Sequence, residues 1–270
     1  STILPPIEKS IACLGRREMT LRAGVISARQ SLLRSTFVAS TLLSKTRSLP
    51  TDGRTMKLPI RTPLGESQAD SEMIAIMREK LGEPLFEHRY DHEREHSIEL
   101  QVAWLQHAFG DETGTNPPVF AALIHDPVVN NGESYDGRGV AFQPFVDALK
   151  EAIASLPGPT LIVGSAEFSH VGPAYGDNVQ LAGNTPEADA NRRKVIEQDQ
   201  ALMKMLTDNK PLDLVSSLAW QQNPTRWSSV GAIAATMLTA QPTEVRLLQY
   251  GGTMDPQGTA MISAASLAMF

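Results

Sequence analysis

Thr160-Leu161-Ile162-Val163-Gly164-Ser165-Ala166-Glu167-Phe168-Ser169-His170-Val171-Gly172 is a short apolar run that passes directly into a polar loop. The β-branched content and length of Thr160 to Val163 predict a buried strand. Three further runs read the same way: Val119 to Ile124, Val245 to Tyr250 and Met261 to Leu267. Between them, apolar residues recur at spacings of three and four over Ser71 to Leu81, Glu95 to Phe109, Phe142 to Leu156, Glu187 to Leu206 and Val230 to Leu238. Gly or Pro stands close to most of these ends, as helix boundaries require. Strands alternating with helices predict one α/β domain, with a mainly parallel or mixed central sheet and helices on both faces. In such sheets ligands sit outside the carboxyl ends of the strands. That rule draws attention to Glu167, Ser169 and His170, and to His125 just past Ile124.

The chain has 270 residues, 41% hydrophobic and 20% charged, enough for one large domain. Its single cysteine, Cys13, leaves no internal disulfide and no cysteine cluster for zinc or iron–sulfur, so a reducing cytoplasm is expected. No run approaches the roughly 20 apolar residues of a membrane span, and a net charge of −6 speaks against nucleic acid as a partner. That average hides an asymmetry. Residues 1–61 carry 11 Lys+Arg against 3 Asp+Glu, and the other 209 carry 13 against 27. Composition therefore divides the chain into an atypical basic segment, 1–61, and an α/β domain, 62–270. For the first it leaves three readings open: a basic lobe against an acidic body, a targeting-like segment, or a shifted reading frame.

Three of the six histidines fall in Phe86 to Glu99. His92-Glu93-Arg94-Glu95-His96 matches H-E-x-x-H, in which two histidines one helical turn apart bind zinc and the glutamate acts as base. Val102 stands where the metzincin extension needs its third histidine, and no acidic third ligand stands out near Asp147 or Glu151. The match is read as accidental. Serine hydrolysis through Ser97, Ser165 or Ser169 lacks a G-x-S-x-G elbow. Neither G-x-G-x-x-G nor a P-loop occurs.

A wider frame takes in more residues. Asp91, then Glu95-His96-Ser97-Ile98-Glu99-Leu100-Gln101 and an apolar helix through Trp104, resembles the D-x-x-x-E-H-S-x-E-x-Q segment of the Memo family. Arg61-Thr62-Pro63-Leu64-Gly65, with Asp70 beyond it, resembles that family's R-T-P-L-G turn. Leu161 to Gly172 resembles its strand ending in S-S-D-F-S-H, and Leu248-Gln249-Tyr250-Gly251 with Ile262-Ser263-Ala264-Ala265 resembles its C-terminal strand pair. The resemblance covers about residues 55–270. It implies a LigB-like fold, that of class III extradiol dioxygenases. It also implies kinship with AmmeMemoRadiSam system protein B, with an AMMECR-type protein and a radical SAM enzyme as partners. The family pocket takes histidines from P-H-A-G-Y and G-P-S-H motifs and a late cysteine, around a site that binds iron or copper.

Here those ligands are missing. Residues 1–61 hold no histidine, and Asn223 to Gly231 offers Arg226 or Ser228 where the cysteine is expected. Glu167 replaces the usual aspartate. The expectation is a degenerate pocket without a cofactor that binds a small molecule or a protein. The alternative is an oxidoreductase with iron or copper on His96, His170 and Glu167, a 2-His-1-carboxylate set. Ser169, Glu99, His125 and Arg226 are the ligand-binding candidates. Arg226 and Trp227 are expected at the pocket mouth, where a planar cation suits a carboxylate or phosphate. His88 and His92 read as solvated, and His107 as a partner of its helix C-terminus. Glu167 is placed to hydrogen-bond His96 or His170 and fix its tautomer.

Overall fold

The computed structural model describes residues 35–41 (backbone only), 59–87, 92, 97–110, 114–128 and 137–270. His88, Glu93, Glu95 and His96 lie outside the described residues.

The apolar pattern and the end signals set the local elements. Helix α1, Ser71–Leu81, starts where the Asp70 carboxylate accepts from Met73 N at 3.0 Å, carries Glu72 in its first turn and Arg78 and Lys80 in its last, and stops at Gly82. Before it, β2 (Ile60–Thr62) and β3 (Gly65–Ser67) form a hairpin with Pro63 and Leu64 at the turn. Helix α2 (Ser97–Phe109) precedes β4 (Val119–Ile124), and α3 (Phe142–Ser155) precedes β5 (Thr160–Ser165). The short β6 (His170–Val171) is followed by α4 (Pro186–Thr207), α5 (Pro211–Gln221), α6 (Val230–Ala240), β7 (Val245–Met254) and β8 (Met261–Met269).

Two three-stranded sheets organise these elements. The first is wholly parallel, in the order β4-β1-β5, where β1 is Ser35–Thr41. Its middle strand thus comes from within the basic segment 1–61. The second is antiparallel, in the order β6-β8-β7, with a bulge at Leu247/Gln249. The four apolar runs read as strands are all strands, but they are shared between two sheets. Apolar content marks burial and does not name the neighbour.

The parallel sheet is covered on both faces, so the chain has an α/β fold. Phe120, Ala122 and Ile124 point toward α1, α3 and α6, in a core with Met73, Met77, Val146 and Leu149. The alternate residues Val119, Ala121 and Leu123 meet Ile98, Val102 and Leu105 of α2, the period-two division of a strand. Helix α6 is buried nearly throughout, and its other side joins Phe168, Leu202, Leu218 and Trp227 in a second core under the antiparallel sheet. Close approach is possible because β5 has Gly164 there: a Cβ would stand 2.7 Å from Thr236 Oγ1. Among the described residues no helix is long and apolar enough to cross a membrane.

Candidate functional site

The carboxyl ends of β4 and β5 open toward the first turns of α2 and α6. Ser165, the last residue of β5, donates to Ser97 O at 3.2 Å and accepts from Gln101 Nε2 at 3.3 Å, which seats the start of α2 on the strand end. On the other side Glu167 N donates to Ser229 Oγ at 3.1 Å and Ser228 Oγ donates to Glu167 O at 3.4 Å, which seats the start of α6. A Cβ at Gly231 would collide with the His125 carbonyl oxygen, so only glycine lets the first turn of α6 come this close to the end of β4. His125 and, in the first turn of α2, Glu99 are half-buried at this rim.

Beyond β5 the chain crosses to the second sheet, and there Glu167 and His170 meet. His170 Nε2 stands 3.1 Å from Glu167 Oε2, and Nδ1 stands 3.0 Å from Phe168 O and 3.1 Å from Arg226 O. All three neighbours are acceptors. A neutral ring has one N–H, so only the imidazolium donates from both nitrogens. Consistently, the Glu167 hydrogen bond, partly offset by burial, raises the pKa of His170 above the ordinary histidine value. The His170 ring also stands edge-on to Tyr175, with centroids 5.5 Å apart.

The other candidates take different roles. The Arg226 guanidinium donates to His170 O, Tyr175 O and the Asp177 carboxylate. Its backbone has φ +56°, and its carbonyl is the one that reaches His170 Nδ1. Trp227, expected at the mouth, is 1% exposed and stacks on Phe168 at 4.0 Å between centroids. An indole is large and apolar, and the second core offers it both a ring partner and a hydrogen-bond acceptor. Ser169 is fully buried and donates to Asp199 Oδ1 at 2.6 Å. His107 lies in the last turn of α2, exposed, edge-on to Trp104.

Two groups in the site escape a reading of the sequence. Asp199 on α4 is 0% exposed and accepts four hydrogen bonds: Ser169 Oγ (2.6 Å) and Trp227 Nε1 (2.7 Å) on Oδ1, Tyr250 OH (2.7 Å) and Ser263 Oγ (2.5 Å) on Oδ2. A carboxylate has about four lone-pair sites, and all are used, which is what allows its burial. Tyr250 has its pKa raised, first by burial and then by this carboxylate. A signal exists: Asp199 falls in the apolar stripe Val195, Leu202, Met203, Leu206 of α4, where a charge needs partners. The second group is Asp126, just past β4, whose pKa burial raises while Val128 N donates to it at 2.9 Å.

Iron or copper, which the resemblance implies, needs at least three protein donors with lone pairs free. Among the described residues no group of three or more His, Cys, Asp or Glu can hold a metal ion, and Glu167 and His170 are turned on each other. The described donor set does not fit the metal.

The sequence has relatives among known proteins. The family profile described as Memo-like protein matches residues 53–268. A MEMO1 family protein of Thermus thermophilus is 22% identical over 223 residues, 83% of this chain and 59% of the relative. One of Methanopyrus kandleri is 26% identical over 201 residues, 73% of this chain and 59% of the relative. A third, of Thermococcus onnurineus, is 30% identical over 115 residues, 43% of this chain and 35% of the relative. This chain thus spans about three-fifths of the length of the first two relatives. A profile match across most of the described domain, with such relatives, supports one conclusion: the chain belongs to the Memo family.

Proposed function

We propose that this chain is a binding member of the Memo family whose pocket has lost the family's metal chemistry, and that it uses the crevice between the first turns of α2 and α6 for a small molecule or a protein. The observation that carries this reading is the surroundings of His170: acceptors on both ring nitrogens hold it as a donor, whereas a metal ligand must offer a lone pair. The sequence supports it, since Asn223 to Gly231 offers Arg226 or Ser228 where the family resemblance places a cysteine. Protein partners of the AMMECR and radical SAM type remain what the family resemblance names.

The test is elemental analysis of protein purified without chelator or added metal. Far less than one equivalent of iron, copper or zinc is expected. Near-stoichiometric metal that disappears in His170→Ala would refute the proposal and favour the oxidoreductase with His96, His170 and Glu167 as ligands.

A further inference from the structure

Two carbonyls grip Nδ1 of His170, and each belongs to a residue next to a donor of Asp199. Phe168 precedes Ser169, and Arg226 precedes Trp227. Both of these donors use the same carboxylate oxygen, Oδ1, while Oδ2 serves Tyr250 on β7 and Ser263 on β8. The stack of Trp227 on Phe168, 4.0 Å between centroids and 5° from parallel, ties the two loops together between those anchor points. Oδ1 thus takes a hydrogen bond from each of the loops that aim at His170, while Oδ2 takes its own from the antiparallel sheet, where Ser263 also accepts from Ser169 N at 2.9 Å and Phe168 N at 2.8 Å and Tyr250 stands apart from both loops' hydrogen bonds.

We propose that Asp199 is the positioning residue of the Glu167–His170 pair, acting through Ser169 and Trp227 to set the two carbonyls that orient the imidazole. The inference rests on reading that pair as the working part of the crevice. It does not depend on whether the crevice holds metal, so its failure and the failure of the binding-only reading show in different measurements.

The experiment is acylation of histidines by diethyl pyrocarbonate on the intact protein, followed residue by residue by peptide mass spectrometry. The reagent needs a ring nitrogen with a free lone pair, which a ring donating from both nitrogens lacks. The exposed His107 on α2 serves as internal reference. Trp227→Phe keeps a stacked ring but removes the indole donor to Oδ1, and Tyr250→Phe removes one hydrogen bond to Oδ2. The His170 rate relative to His107 is expected to rise several-fold in Trp227→Phe and stay at the wild-type value in Tyr250→Phe. Asp199→Ala should raise it further, and Asp199→Asn should restore it, because the amide oxygen can serve Ser169 and Trp227 while the hydroxyls of Tyr250 and Ser263 turn to accept from the amide nitrogen. Should Asp199→Ala fail to fold, the contrast between the other two variants stands alone. Equal effects of Trp227→Phe and Tyr250→Phe, or no change in Trp227→Phe, would overturn the proposal, since a carboxylate with a merely structural role does not distinguish its two oxygens.

Discussion

Glu167→Gln should cost stability in acid and little in alkali. The His170 side chain is 12% exposed and that of Glu167 is 56% exposed, so the pair lies between a surface ion pair and a buried one. An exposed pair contributes about 0–1 kcal/mol and a charged hydrogen bond in a covered site about 1.5–3 kcal/mol; with one partner open to screening, about 1 kcal/mol is the fitting figure. The sign follows from linkage. The folded-state pKa of His170 is raised above the unfolded value, chiefly by Glu167, so the contribution is complete below the unfolded pKa of about 6.5 and is lost as pH climbs through the folded pKa. Above it the neutral ring keeps its N–H on the carbonyls and turns a lone pair toward the carboxylate. Thermal unfolding followed by circular dichroism should show Glu167→Gln melting roughly 2–4 °C below wild type at about pH 5.5, with the gap nearly closed at about pH 9. A gap that is the same at both pH values, or wider in alkali, would refute the charged-ring account of the site.

Other substitutions probe the frame that carries the pair. Leu149, 0% exposed in the core under the parallel sheet, should lose about 2–5 kcal/mol on conversion to Ala, read from the urea midpoint. Gly231→Ala forces a Cβ against the His125 carbonyl, and a net loss of about 1–3 kcal/mol is expected despite the better helix propensity of alanine. Asp70→Ala removes the acceptor for Met73 N at the start of α1, and a drop of about 1 kcal/mol in the same assay would be the cap's share.

How far the sequence reaches depends on how local the cause is. The bounds of α1 follow from a cap at Asp70, an apolar face and Gly82, all within thirteen residues, and β4 stands between turn formers as read. Strand β5 runs two residues past its expected end because Gly164 and Ser165 look like turn formers; the first serves the approach of α6 and the second the seat of α2. Strand β1 is not legible: Ser35 to Thr41 has only three apolar residues, Phe37 to Ala39, between small polar ones inside a basic stretch, and its partners lie far along the chain. Helix α5 has the length of α1 and α6, and the signal for it is Pro211 at its first turn with Leu214 and Leu218 on one face. At the site, His125 and Glu167 stand just past β4 and β5, Ser169 and His170 lie where the chain enters the second sheet, and what each touches comes from tertiary packing. Ser169 and Trp227 face Asp199 because α4 is folded under them, and no spacing in the sequence encodes that meeting.

The order β4-β1-β5 also governs how the chain can fold. Both outer strands pair with β1, far from each along the chain: Thr36 stands beside Val119 and beside Leu161, separations of 83 and 125 residues. Closing such loops costs entropy that grows with the logarithm of their length, and none of it is returned until the distant strand arrives. During synthesis β1 must therefore wait, open on both edges until β4 has been made and on one edge until β5 follows. A chain with this wiring belongs among slow, non-local folders, and the interval in which β1 is exposed is when holding chaperones have most to do.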